Sequence, residues 1–248
     1  MMKMPIFPLR HEINHLASKA EPFGDRAEEI LGAAAFDEAA REITAWPGYT
    51  PTPLIPLAGM AKALGLGAIH YKDEGQRFSL KSFKALGGAY AVLKVLRREL
   101  ARQGIQISGV QDLLADSHLA VKKGITVCCA TDGNHGRSVA WAAQMFGCRA
   151  IIYLHAGVSA GRENEIAAYG AEIERVTGGY DDSVRRVADD AAAKDWFVVS
   201  DTSWQGYEEV PAWVMQGYMV MADEIFRQWP ESSLPSHLFI QGGVGGLA

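Results

Sequence analysis

The sequence predicts an α/β fold built on a mostly parallel sheet. Three observations lead there: strands and helices alternate from residue 125 to residue 200, the strands are almost wholly apolar, and the helices between them repeat apolar residues every three to four positions. A strand that is apolar on both faces needs a covering layer on each, and the intervening helices supply it.

Residues 1–50 are mixed, with one or two helices across 27–46. Pro51, Pro53 and Pro56 keep 49–57 extended, because the residue before a proline is pushed out of the helical region. Residues 60–64 are helix-like and 68–72 form a short strand. Phe83 opens a long helix with Phe83, Leu86, Tyr90, Leu93, Leu96 and Leu100 on one face. Gly87 and Gly88 inside it cost about 1 kcal/mol each against alanine, which points to close approach of a ligand or a neighbouring element. The alternation follows: strand 125–130, helix 136–146, strand 149–154, helix 162–169, strand 172–176, helix 182–194, strand 196–200. Val184, Val187, Ala188 and Ala191 form the inward face of the helix at 182–194. A second long helix covers 208–228, and 238–241 is a strand leading into glycines. No repeat, low-complexity segment or linker interrupts the chain.

With 248 residues the chain can bury a full core, as one domain or two. Its net charge of -5 argues against nucleic acid or an anionic membrane as partner. No run reaches the ~18 apolar residues of a membrane helix, and the start, Met-Met-Lys-Met-Pro, lacks an apolar signal core. Cys128 and Cys129 are neighbours in a strand, so they face opposite ways and are poorly placed to bridge. With Cys148 they read as buried, reduced thiols, which fits a cytoplasmic location. No cluster has metal-ligand spacing.

Three motifs carry chemistry. Lys84 lies in Ser82-Phe83-Lys84-Ala85-Leu86-Gly87-Gly88, at a helix start. Thr131-Asp132-Gly133-Asn134-His135-Gly136 follows one strand, and Gly242-Gly243-Val244-Gly245-Gly246 follows another. A lysine amine can bond covalently to an aldehyde. An asparagine amide can hydrogen-bond a ring oxygen, and glycine N–H groups can cradle a phosphate. Those are the demands of pyridoxal 5'-phosphate (PLP). A nucleophilic lysine must be neutral; Phe78 and Phe83 offer apolar surroundings, and Lys81 offers a cation one helical turn back.

Each residue also has an ordinary reading. Asn134 suits a turn before a helix. Asp132 suits a helix-start cap, and Asp201 a cap or turn acid. The glycines also read as Gly-x-Gly-x-x-Ala, a dinucleotide fingerprint whose helix and acidic residue lie beyond residue 248. Lys84 makes the phosphate of PLP the better reading. Asp73, Glu74 and Arg77 suit structural ion pairs at least as well as substrate contact. His135 reads as turn packing, and Trp204, Tyr207 and Trp213 as core or interface.

The stretch from about residue 50 to 248 resembles the PLP enzymes of the tryptophan-synthase-β type (fold type II), and within them the diaminopropionate ammonia-lyase subfamily. The resemblance is carried by Lys72-Asp73-Glu74-Gly75-Gln76-Arg77-Phe78-Ser79-Leu80 running into Ser82-Phe83-Lys84, by Ala130 through Arg137, and by Asp201-Thr202-Ser203-Trp204. Gly75 departs from the subfamily, which usually has serine there. The resemblance implies two three-layer α/β domains with the cofactor between them. Residues 1–88 form the first part of the large domain, 89–199 the small domain, and 200–248 the continuation of an incomplete large domain.

It further implies that Lys84 bonds PLP and acts as the base at Cα for the L-enantiomer. Asn134 bonds the ring oxygen. Gly242, Gly243, Val244, Gly245 and Gly246 hold the phosphate. Asp132 is the base for the D-enantiomer or pairs with the substrate's β-ammonium, and Asp201 meets the β-amino group. The implied reaction is α,β-elimination of 2,3-diaminopropionate, a small-molecule amino acid, to pyruvate and ammonia, in a homodimer. The rivals are a serine/threonine dehydratase-type lyase, a nucleotide-binding domain, and a non-catalytic fragment. Family members are substantially longer, so the chain is expected to be truncated within the phosphate loop.

Overall fold

The computed structural model describes residues 24–230, 232, 234–242 and 245–247. In chain order they form α1 (Asp25–Leu31), α2 (Ala33–Thr44), β1 (Leu54–Pro56), α3 (Ala58–Leu64), β2 (His70–Lys72), a 3-10 segment (Glu74–Ser79) and α4 (Lys84–Arg102). Then come α5 (Val110–Leu114), α6 (Leu119–Lys123), β3 (Thr126–Ala130), α7 (Asn134–Phe146), β4 (Arg149–His155), α8 (Ala160–Ala167), β5 (Glu172–Val176), α9 (Tyr180–Lys194), β6 (Phe197–Val198) and α10 (Glu209–Gln228). β1 and β2 pair antiparallel. The other four strands form one parallel sheet in the order β5-β4-β3-β6.

The α/β expectation holds. β3 is buried along its whole length, as a central parallel strand covered on both faces must be. Cys128 points to the face under α9, beside Ile151, Val187 and Ala191. Cys129 points to the other face, into the core shared by α4, α7 and α10. No described helix is long and apolar enough to cross a membrane.

Helix α4 is buried differently from the expected single stripe. Every residue from Ala85 to Leu93 is buried, because this half of the helix lies between α7 and α10. The two glycines make that possible. A Cβ on Gly87 would sit 2.5 Å from Tyr218 Cε1 and 2.6 Å from the Val214 carbonyl of α10. One on Gly88 would sit 2.5 Å from Ser138 Oγ of α7. From the other side, a Cβ on Gly217 would meet the Leu86 carbonyl at 2.6 Å. The glycines therefore serve helix packing, the neighbouring-element branch of the expectation.

Two local expectations fail. Residues 238–241 form no strand: no described strand lies beside them, and Leu238, Phe239 and Ile240 are exposed. Ala188 faces solvent, since α9 turns only Ser183, Val187 and Ala191 fully inward. The short helices α5 and α6 and the 3-10 segment were not legible as elements.

The segment before α4 is locked from behind. Arg77, 1% exposed, donates to Glu224 of α10 through both Nη1 and Nη2 at 2.7 Å and to Glu74 through Nε at 2.8 Å. Lys72 Nζ donates to the same Glu224 carboxylate at 2.7 Å. Burial pushes the Glu224 carboxyl up, but hydrogen bonds from Arg77 and Lys72 and their charges outweigh it and hold it below the usual range. Beyond this lock Phe78, Ser79 and Lys81 take left-handed φ values of 47°, 62° and 56°. Such backbone persists in non-glycine residues only where surrounding contacts fix it. Asp73 instead accepts from the Gly75 N–H at 3.0 Å, a turn role.

Candidate active site

A cleft of about 320 Å³ opens beyond the carboxyl ends of β3 and β6, where ligands bind in open α/β sheets. Lys84, Asp132, Asn134, Asp201, Gly245 and Gly246 all line it. Gly242 does not, and Gly243 and Val244 lie outside the described residues.

The turn after β3 is organised by a residue the sequence reading passed over. Thr131 Oγ1 accepts from the N–H groups of Gly133 at 3.0 Å and Gly136 at 3.1 Å. Gly133 has φ 155°, and a Cβ on Gly136 would lie 2.3 Å from Thr131 Cγ2. Both positions therefore need glycine. Asn134 is the first residue of α7, exposed, with no hydrogen-bond partner for its amide among the described residues. Asp132 does not cap the helix. Its side chain is 63% exposed, and Oδ1 accepts from His155 Nε2 at 2.7 Å.

Lys84 begins α4. Its backbone carbonyl accepts from Ser138 Oγ at 2.8 Å. Its ammonium pairs with Asp201 Oδ2 and lies 5.3 Å and 5.7 Å from the ring centres of Phe83 and Tyr218. Phe83 thus neighbours the amine as expected. Phe78 does not: it packs into an aromatic cluster with Trp46 and Trp141. Lys81 precedes the helix in left-handed backbone, so it does not lie one helical turn below Lys84.

Asp201 is 7% exposed. Burial pushes its carboxyl up, yet the charges of His135 and Lys84, with the lysine hydrogen bond, bring it below the ordinary value. Its loop is tied down by Tyr207, whose hydroxyl donates to the Val198 carbonyl at 2.8 Å and accepts from the Ser200 N–H at 3.0 Å. The Tyr207 ring stacks on Trp204 at 4.0 Å. His135 is buried, as turn packing required, with Nε2 donating to the Val199 carbonyl at 2.7 Å. Its Nδ1 is buried without a hydrogen-bond partner, 3.9 Å from Asp201 Oδ2. Gly246 abuts the same loop; a Cβ there would lie 2.9 Å from the Asp201 carbonyl.

A second cleft, about 380 Å³, lies among Arg41, Lys94, Arg97, Arg98 and Glu209. Lys94 pairs with Glu38 at 2.7 Å, Arg97 with Glu42 at 2.8 Å and Arg98 with Glu209 at 2.6 Å. That mutual pairing leaves it little to offer a ligand. Among the described residues, no group of His, Cys, Asp and Glu is arranged to hold a metal.

The cleft thus brings together a lysine at a helix start, an asparagine turn and glycine backbone. The pyridoxal-phosphate dependent enzyme model matches residues 45–248. The chain belongs to the pyridoxal-phosphate dependent enzymes. Within that family it is 45% identical over 207 residues to the diaminopropionate ammonia-lyase of Salmonella typhimurium, covering 82% of this chain and 50% of the relative. It is 42% identical over 204 residues to that of Escherichia coli K12, covering 81% and 50%. The fold matches a crystal structure of Escherichia coli diaminopropionate ammonia lyase in complex with D-serine. The TM-score is 0.77 and the identity 39%, over 88% of this chain and 55% of that one. A second structure of that enzyme, with an aminoacrylate-PLP azomethine reaction intermediate, matches equally at TM-score 0.77. Fold type II, the arrangement the resemblance implied, is borne out. The chain spans about half the length of the curated relatives it matches.

Proposed function

We propose that the protein is a PLP-dependent ammonia-lyase. One 2,3-diaminopropionate and one water give one pyruvate and two ammonia. The observation that carries this reading is the nearly buried Asp201 carboxylate in the cleft, paired there with the Lys84 ammonium. A β-amine leaves only when protonated, so a lyase for it needs a buried carboxylate that can hold an ammonium. Hydroxyl elimination makes no such demand.

The cleft residues fit PLP. Lys84 brings an amine to the cleft, beside the rings of Phe83 and Tyr218. Asn134 has an amide free for a ring oxygen, and Gly245, with φ 90°, exposes backbone to the cleft. The volume suits a small cofactor with substrate. When bound, PLP supplies the conjugated ring that takes up the electron pair left at Cα. The protein's own part is then to hold and move protons. Lys84 and Asp132 are the bases at Cα for the L- and D-enantiomers, and Asp201 holds the departing ammonium.

The same reading places the large domain over 1–88 and 200–248 and the small domain over 89–199. It is supported by the cleft's make-up, since Lys84 and Asp201 come from one part and Asp132 through His135 from the other. It includes a cytoplasmic homodimer acting on a free amino acid. The test is borohydride reduction of the full-length protein with added PLP, then peptide mapping, alongside pyruvate assays with each diaminopropionate enantiomer and serine. A label on Lys84 with pyruvate from diaminopropionate is expected. Absence of a specific label overturns the reading.

A further inference from the structure

The parallel register of β3 and β4 sets Ala130 level with Tyr153. Two residues on, Asp132 in the turn after β3 and His155 at the end of β4 come together at the mouth of the Lys84 cleft. Their side chains meet there, with Nε2 of His155 2.7 Å from Oδ1 of Asp132. The direction of that bond is fixed by the rest of the ring. The Gly157 N–H, which can only donate, points at His155 Nδ1 from 3.1 Å. Nδ1 is therefore the acceptor nitrogen, and the neutral ring carries its proton on Nε2, aimed at the carboxylate. Gly157 is part of the arrangement: a Cβ there would lie 2.9 Å from His155 Cε1.

The two residues are also held through their backbones. Arg162 Nη1 donates to the Asp132 carbonyl at 3.2 Å, and Arg175 Nη1 to the His155 carbonyl at 3.2 Å. Among the described residues, Oδ2 of Asp132 has no hydrogen-bond partner. An aspartate this exposed would sample several rotamers if left alone. With Oδ1 bound to a ring fixed in tautomer and position, its second oxygen is held in one orientation.

We propose that His155 is a positioning residue that orients Asp132 for its work in the cleft. This rests on the reading of Asp132 given above. It makes His155 a determinant of enantiomer preference, because it acts only on the reaction that uses Asp132.

The test compares His155→Phe, which removes the donor, with His155→Gln, whose amide restores one, and with Asp132→Ala. Turnover of both diaminopropionate enantiomers is measured with the PLP-loaded full-length protein, and ring nitrogen shifts are read by NMR without cofactor. His155→Phe is expected to lower kcat up to about a hundredfold, the scale of a small misplacement, for the enantiomer that Asp132→Ala impairs. The other enantiomer should stay within about twofold, the double variant should be no worse than Asp132→Ala alone, and His155→Gln should recover most of the loss. In the NMR spectrum Nδ1 should appear as the unprotonated nitrogen, and Asp132→Ala should move the Nε2 signal. An equal fall for both enantiomers overturns the inference. So does an active His155→Phe beside a crippled Asp132→Ala, or an Nε2 signal unmoved by Asp132→Ala. If Asp132→Ala affects neither enantiomer, the assigned role of Asp132 fails instead, and the ring shifts alone still decide whether the tether exists.

Discussion

Asp201 and Lys84, 117 residues apart in sequence, form an ion pair at the floor of the cleft. Asp201 is nearly buried, with the Lys84 ammonium bonded to it and the His135 ring beside it, and its carboxyl is held below the ordinary value. Glu224, the acceptor for Arg77 and Lys72, is held down in the same sense. A carboxyl with a depressed folded pKa contributes stability that is fully present above its unfolded value. That contribution is lost as pH falls through the folded value. Thermal unfolding midpoints should therefore hold steady above about pH 5 and fall progressively below about pH 4, near the unfolded values. Glu224→Gln should lower stability at neutral pH and flatten that acid slope.

Arg77→Ala should be among the most damaging substitutions outside the cleft. It leaves buried Glu224 with one cation, Lys72, in place of two, and half-buried Glu74 with none among the described residues. Breaking a buried pair from one side costs about 3–5 kcal/mol, readable as a lower denaturant midpoint. An effect below about 1 kcal/mol would show that water reaches this network.

Gly87→Ala should destabilise even though alanine favours helix by about 1 kcal/mol. The obstacle at 2.6 Å is the Val214 carbonyl, which belongs to the α10 backbone and cannot rotate aside. Overpacking of this kind costs about 1–3 kcal/mol. Gly88→Ala should be milder, because its obstacle, Ser138 Oγ, is a side-chain atom.

Asp132→Ala separates the two enantiomers. Loss of a positioned base lowers turnover by about a hundredfold or more, and elimination of D-diaminopropionate should fall by that factor. Elimination of the L-enantiomer by the same variant, whose base is Lys84, should change little. Equal losses would remove Asp132's special link to the D-enantiomer.

The thiols of Cys128 and Cys129 should be silent in the folded state. Burial pushes Cys128 up to about 12, and Cys129 well above its ordinary value. A disulfide exchange reagent at pH 8 should label neither until denaturant is added.

What the sequence shows well is what depends on neighbours along the chain. The Lys84 helix start, the 131–136 turn and the alternation from β3 to β6 are local patterns, and each appears where expected. The glycines of α4 were readable as a close-approach signal, but only the packed helices show against what. Long-range partners were out of reach. Glu224 carries the lock behind Lys84, yet its one trace in the sequence is an acid that continues the three-to-four spacing of Val210, Val214 and Gly217. Thr131 acts through a turn whose geometry follows from Gly133. His155 meets Asp132 only because β4 lies beside β3 and ends next to the turn that follows it, a pairing the sequence does not reveal. The apolar run at 238–241 misled for the opposite reason: β character along the chain does not supply a neighbouring strand.

The lock and the cleft pair also bear on the order in which this protein assembles. Arg77 reaches Glu224 across 147 residues and Lys84 reaches Asp201 across 117. Chain entropy must be given up before contacts of such separation return anything, so they belong to the slow, late part of folding. A nascent chain with α4 formed and α10 undocked carries Lys84 as an ordinary amine on a helix end. The appearance of a distinctive lysine reactivity during refolding would thus time the completion of the fold rather than its beginning.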